Sequence, residues 1–105
     1  KFLYLKLQNK PLTIFGNGKQ TRDILYATDV AEAFFSFYEK QIPGIYNIGG
    51  GEKTVISLLE CIQAIEKISE KKSQTIFDKD RFGDLRYFVS DLTKAKKLLG
   101  WEPKY

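Results

Sequence analysis

The sequence predicts an α/β fold of short strands with three main helices. Three observations carry that prediction. Runs of β-forming residues are bounded by Gly and Pro, apolar residues recur at helical spacing in three later stretches, and each of those stretches opens with a capping signal.

Residues 2 to 8 read as the tail of a helix, and Pro11 marks the turn after it. Leu12 to Phe15 is a strand rich in β-formers. Gly16-Asn17-Gly18 supplies the positive φ that a tight connection needs, and Arg22 to Ala27 is a second strand. Two strands joined this way can hold a flat ring against one and a phosphate against the other.

Asp29, with Glu32 three residues on, predicts a capping box. Val30, Phe34, Phe37 and Tyr38 then form the inward face of a helix ending near Lys40, where Pro43-Gly44 breaks it. Ile45 to Ile48 reads as a short buried strand running into Gly49-Gly50-Gly51. Ser57 with Glu60 is another capping box, followed by the stripe Leu58, Ile62, Ile65 and Ile68 to about Ser69. Thr75 to Phe77 and Tyr87 to Val89 are short strands. Asp91 caps a last helix with Leu92, Ala95, Leu98 and Leu99 inward; Gly100 ends it, Trp101 folds back on its last turn and Pro103 stops continuation.

At 105 residues the chain is one domain or part of one. Fifteen aromatics (eight Phe, six Tyr, one Trp) are more than a disordered tail carries. No methionine is present and the chain opens inside a helical pattern, which predicts a piece of a longer protein. No apolar run has the length of a membrane span. A single cysteine, Cys61, cannot close an internal disulfide and falls in a helical packing pattern; a reducing cytoplasm fits. The net charge of +4 fits either a solvated lysine-rich surface or attraction to an anion. The lysines sit mostly beside glutamates on helix faces, an arrangement unlike the basic, aromatic-studded stripe that nucleic acid requires.

The glycine run fails both phosphate-loop spacings. Gly50 stands where a P-loop needs lysine, and Thr54 stands where the third glycine of a dinucleotide loop belongs. Its expected role is steric, letting the chain turn sharply. Histidine is absent, which removes the commonest general base and metal ligand, and no metal site is expected. Asp78, Asp80 and Asp84 cluster, but Lys79 and Arg81 interleave with them and weaken a cation site. No acid–base engine is evident.

Five motifs in order carry a resemblance. They are Thr13 to Asp23 (TIFGNGKQTRD), Tyr46 to Gly50 (YNIGG), Arg81 to Asp84 (RFGD), Ser90-Asp91 with Lys94-Ala95, and Leu98 to Pro103 (LLGWEP). Together they resemble the extended short-chain dehydrogenase/reductase enzymes that act on nucleotide-diphosphate sugars. The match implies a C-terminal segment of a Rossmann-type fold, with residues 1–105 as the substrate-binding part of an epimerase and the cofactor-binding part absent. Arg22 to Tyr26 and Ser57 to Glu60 are most similar to the CDP-paratose (CDP-tyvelose) 2-epimerases; UDP-glucose 4-epimerases and dTDP-glucose 4,6-dehydratases are similar but less so. A non-catalytic binding or interaction module is the alternative of a different class.

The resemblance assigns roles. The strand through Thr13 and Phe15 lines the nucleotide base, partly through backbone groups; Arg22 and Arg81 hold the diphosphate; Asp84 accepts from the ribose hydroxyls. The chemistry agrees, because arginine forks bind phosphate oxygens in pairs and a carboxylate suits a diol. An ion pair with Asp23 or Asp29 is the alternative for Arg22, and a turn cap beside Gly83 for Asp84. The family's reaction is transient oxidation of the sugar by bound NAD and return of the hydride to the other face. Its glycine-rich loop and Tyr-x-x-x-Lys pair lie upstream; no tyrosine here has a lysine four residues later. This chain alone is therefore expected to be inactive, to hold no NAD and no catalytic residue, and, with Ile45 to Ile48 uncovered, to self-associate or exchange segments.

Overall fold

The structure is a computed structural model and describes residues 4–5 and 8–105. It is mixed α/β with three main helices and short strands, as expected; among the described residues there are five strands, one of which, Val55–Ser57, the sequence reading did not mark. The strands are β1 (Leu12–Phe15), β2 (Thr21–Asp23), β3 (Val55–Ser57), β4 (Thr75–Asp78) and β5 (Tyr87–Phe88). The helices are α1 (Ala27–Lys40), α2 (Leu58–Ser69) and α3 (Thr93–Leu99), with a 3-10 turn at Glu52–Thr54. β2, β3 and β5 form a sheet in the order β3-β2-β5. Within these three strands the chain crosses between two compact units, residues 1–21 with 56–87 and residues 22–55 with 88–105.

In the first unit β1 pairs in parallel with β4, Leu12 opposite Thr75 and Phe15 opposite Asp78. Side chains alternate along β1, so Leu12 and Ile14 turn to one face and are buried against Ile62 of α2, with Leu5, Leu58 and Leu59 around them. The Ser57 capping box forms as expected. Its hydroxyl accepts from Glu60 N at 3.2 Å, and its own N–H donates to Glu60 Oε2 at 2.8 Å. The Ser57 hydroxyl and backbone N–H hold the Glu60 carboxyl below its ordinary value. The stripe on α2 is buried at Ile62 but runs out at Ile68, which is exposed at the C-terminal end. β4 is exposed along its whole length.

In the second unit Ala33 of α1 meets Ala95 and Leu99 of α3, and Trp101 closes the cluster. Two alanines let the helices approach closely. The large aromatics expected inside, Phe34 and Tyr38, lie beside that contact and are exposed, and Phe37 is partly so. The core face of α1 is thus set by a small residue that the apolar pattern did not mark. Gly100 takes a φ of +67°, its N–H donates to Lys96 O at 3.1 Å, and Trp101 folds back into the core.

The structure departs from the sequence expectation at three places. The second strand ends at Asp23 and does not reach Ala27, because Tyr26 is already the N-cap of α1. Asp29 is therefore not that cap. It sits inside the first turn, fully buried, where Oδ2 accepts from Tyr105 N at 3.2 Å while its carbonyl accepts from Trp101 Nε1 at 3.0 Å. Residues 45–48 form no strand. The Ile45 carbonyl is taken by Lys94 Nζ at 2.8 Å, and the Ile45 side chain is exposed. Asp91 performs its expected function one step further out, with Oδ1 accepting from Thr93 N at 2.9 Å ahead of the helix start at Thr93.

Candidate functional site

The parallel ladder decides what β1 offers to a ligand. Leu12 N–H donates to Gln74 O at 2.7 Å and Gly16 N–H to Asp78 O at 2.9 Å, so the even-numbered residues direct their backbone groups at β4. The backbone groups of Thr13 and Phe15 therefore point to the opposite edge. Among the described residues no strand pairs with that edge. One of these groups is already engaged: the Phe15 carbonyl accepts from Gln20 Nε2 at 2.9 Å. Both side chains also stand on the face away from the buried Leu12 and Ile14.

The turn after β1 is tight. Gly16 and Gly18 have φ of +80° and +73°, and Lys19 N–H donates to Asn17 Oδ1 at 3.0 Å. A Cβ on Gly16 would meet the Asp80 carboxylate, so the turn and the loop after β4 lie against each other. That loop carries Arg81 to Asp84, closed by Asp84 N–H donating to Arg81 O at 3.2 Å, with Gly83 at φ +77°.

Two adjoining clefts result, of about 730 and 570 Å3. Thr13, Phe15, Arg81 and Asp84 all line the smaller one, and Phe15, Arg81 and Asp84 line both. At the junction the Arg81 guanidinium lies over the Phe15 ring, 3.7 Å from its centre. The structure thus brings four of the five expected site residues together. Arg22 lines neither cleft; it lies on β2 within the second unit.

Three lining residues escaped the sequence reading. Lys19 and Gln20 sit inside the first motif but carried no assigned role, and Arg86 lies just beyond the RFGD motif. Lys19, Arg81 and Arg86 face Asp78, Asp80 and Asp84, so cations and carboxylates balance in the larger cleft. Arg86 and Asp80 make a loose, exposed pair at 4.0 Å, which contributes little. Among the described residues no group of three His, Cys, Asp or Glu side chains gathers as a metal site. No described helix is long and apolar enough to cross a membrane.

The glycine run in the second unit is packed by its own neighbours. A Cβ on Gly49 would strike Ser90 Oγ and Asp23 Oδ2, and one on Gly50 would strike the Ile24 carbonyl and Thr54 Oγ1. The steric role expected for these glycines is what the packing shows. Asp23, unassigned from sequence, anchors the turn by accepting from Gly51 N at 3.0 Å and Ser90 N at 3.1 Å. Burial raises its pKa, but the hydrogen bonds from Gly51 N–H and from the Ser90 hydroxyl and N–H outweigh that and hold it below 3.8.

A family model described as GDP-mannose 4,6 dehydratase matches residues 3–105. The human dTDP-D-glucose 4,6-dehydratase is 42% identical over 113 residues, covering 99% of this chain and 31% of that protein. The CDP-paratose 2-epimerase of Salmonella typhi is 37% identical over 99 residues, covering 91% of this chain and 29% of that protein. The crystal structure of UDP-glucuronic acid 4-epimerase from Bacillus cereus, in complex with UDP-glucuronic acid and NAD, superposes with a TM-score of 0.89 at 37% identity over 98% of this chain and 33% of that one. The chain thus spans about a third of the length of these relatives. The match along almost its entire length shows that the chain belongs to the nucleotide-sugar epimerase and dehydratase family of Rossmann-type short-chain dehydrogenases/reductases.

Proposed function

We propose that residues 1–105 are the C-terminal, nucleotide-diphosphate-sugar-binding part of an NAD-dependent nucleotide-sugar epimerase of the cytoplasm. One observation carries the reading: Thr13 and Phe15 on β1, together with Arg81 and Asp84 from the loop after β4, line one cleft. In this reading the outward edge of β1 meets the base through backbone groups of Thr13 and Phe15. Arg81 holds the diphosphate and Asp84 takes the ribose hydroxyls; a phosphate role for Arg22 is a separate proposal that rests on the family resemblance of its motif alone. In this reading NAD binds outside these residues, since Thr54 stands where the third glycine of a dinucleotide loop belongs. The reaction chemistry then also lies outside them.

Within the family we favour a CDP-tyvelose 2-epimerase, on the strength of Arg22 to Tyr26 and Ser57 to Glu60. UDP-glucuronate epimerases and dTDP-glucose dehydratases stand at comparable identity, so the base and the sugar are matters for direct measurement. A thermal-shift panel of CDP-, UDP-, dTDP- and GDP-sugars on the full-length protein measures both; a shift with CDP-sugars alone supports the 2-epimerase, and a UDP or dTDP preference removes it. In the same reading, this chain by itself binds no NAD and self-associates through exposed apolar surface such as Ile45. A clean monomer by light scattering at high concentration would count against the second point.

The site itself is tested by binding of nucleotide diphosphates, without sugar, to Arg81→Ala and wild-type full-length protein. A charge-assisted hydrogen bond is worth about 1.5–3 kcal/mol, so the variant should bind roughly ten- to hundredfold more weakly, and to a similar degree whatever the base. Asp84→Asn should cost less and only with ligands that carry ribose hydroxyls. If a folded Arg81→Ala binds as well as wild type, the Arg81 to Asp84 loop is a structural turn and nothing more.

A further inference from the structure

The Phe15 ring cannot add a stacking face to the base contact of β1 in the arrangement seen. The guanidinium carbon stands 3.7 Å from the centre of the Phe15 ring, a single van der Waals layer. A planar base on that face of the ring needs two such layers, or roughly 7 Å between ring and guanidinium. With Arg81 in place, this face of Phe15 is covered.

We propose that Arg81 is a ligand-operated latch: it caps the Phe15 ring until a diphosphate draws the guanidinium away, and the uncovered ring then accepts the base. The proposal rests on the reading of the cleft as a nucleotide-diphosphate site. The two residues differ in how firmly they are held. Phe15 is held by the β1–β4 ladder, by the Gly16 N–H bond to Asp78 O and by Gln20 Nε2 on its carbonyl. Arg81 is exposed, on an irregular loop whose turn ends in a positive-φ glycine. The ring is the fixed part and the guanidinium the moving one.

The energetics favour the transfer. An exposed cation–π contact is weaker than a bidentate arginine–phosphate interaction, so a diphosphate outcompetes the ring. A nucleoside without phosphate has nothing to offer Arg81 and meets a covered ring. Base and phosphate recognition are thereby coupled, and the site answers to the two together more than to either part.

Inorganic pyrophosphate binding isolates the latch, because pyrophosphate has no base. In the full-length protein, Phe15→Leu removes the competing ring, and pyrophosphate should bind about two- to fivefold more tightly than to wild type. Phe15→Trp offers a better cation–π face and should bind pyrophosphate more weakly by a similar factor. If the leucine variant fails to fold, the tryptophan variant carries the test alone. Equal pyrophosphate affinity in wild type and the Phe15 variants, or tighter binding in Phe15→Trp, overturns the latch. Titration of Arg81→Ala with pyrophosphate, CDP and UDP separates the two levels. Weaker binding there, with no effect at Phe15, sinks the latch and leaves the phosphate role standing; unchanged binding there sinks both.

Discussion

In the second unit Asp23 and Asp29 turn their carboxylates inward onto backbone N–H groups, whereas in the first Asp80 and Asp84 hold theirs in an open cleft beside arginines. The residue type is the same and its use is opposite. Asp23 fastens the Gly51 turn and the start of the segment at Ser90; Asp29 fastens Tyr105. Both carboxylates hold the fold through Oδ2. The aromatic residues divide in the same way. Trp101 is buried and donates its indole N–H to Asp29 O, while Phe15 faces a cleft with Arg81 over its ring. A polar or aromatic residue indicates function only once its partners are known.

That contrast can be broken by substitution. The largest expected effect is at Trp101, buried at 3% exposure in the Ala33, Ala95 and Leu99 cluster. Trp101→Ala should cost roughly 3–5 kcal/mol in urea unfolding followed by circular dichroism, through the cavity and the lost bond to Asp29. A cost under about 1 kcal/mol would mean that this cluster does not hold the second unit together.

Asp23→Ala comes next, at about 1–3 kcal/mol, since two backbone N–H groups lose a charged acceptor in a site that solvent partly reaches. The same residue gives the pH dependence its sign. Its folded pKa lies below 3.8, so its contribution is fully present above pH 3.8 and is lost as pH falls through the folded value. Wild type should therefore lose more stability than Asp23→Asn on acidification below that pH. Parallel losses in the two proteins would show that the Asp23 carboxylate is not the group responsible.

The smallest effect sharpens the comparison from the other side. Both sit on exposed loop positions, so Asp84→Asn should change stability by no more than about 0.5 kcal/mol, and Arg81→Ala, which also loses the contact with the Phe15 ring, by no more than about 1 kcal/mol. A much larger destabilisation would move the Arg81 to Asp84 loop from the ligand-facing group to the structural one.

Legibility from the sequence followed the range of the forces involved. The Ser57–Glu60 box, the Gly100–Trp101 ending and the β1 strand were readable because each depends on residues within a few positions of one another. The helix face at Ala33 was not, because its partners Ala95 and Leu99 lie some sixty residues away and an alanine makes no signal in an apolar pattern. Asp29 was misread as a cap for the same reason: its partners, Trp101 and Tyr105, come at the far end of the chain. Residues 45–48 looked like a strand because apolar content alone cannot say whether a ladder partner exists. In the site, Thr13, Phe15, Arg81 and Asp84 were named through the ordered motifs. The contact between Phe15 and Arg81, sixty-six positions apart in the numbering, was beyond any local pattern.

The burial of Trp101 also equips the chain with an internal optical label. It is the single tryptophan of these 105 residues, shielded from water and hydrogen-bonded through Nε1. Indole emission shifts to longer wavelength when the ring is wetted, so within this chain the signal reports the opening of residues 22–55 with 88–105. A ligand that alters heat stability while leaving this emission untouched would be acting away from the Trp101 cluster, and fluorescence alone would miss it.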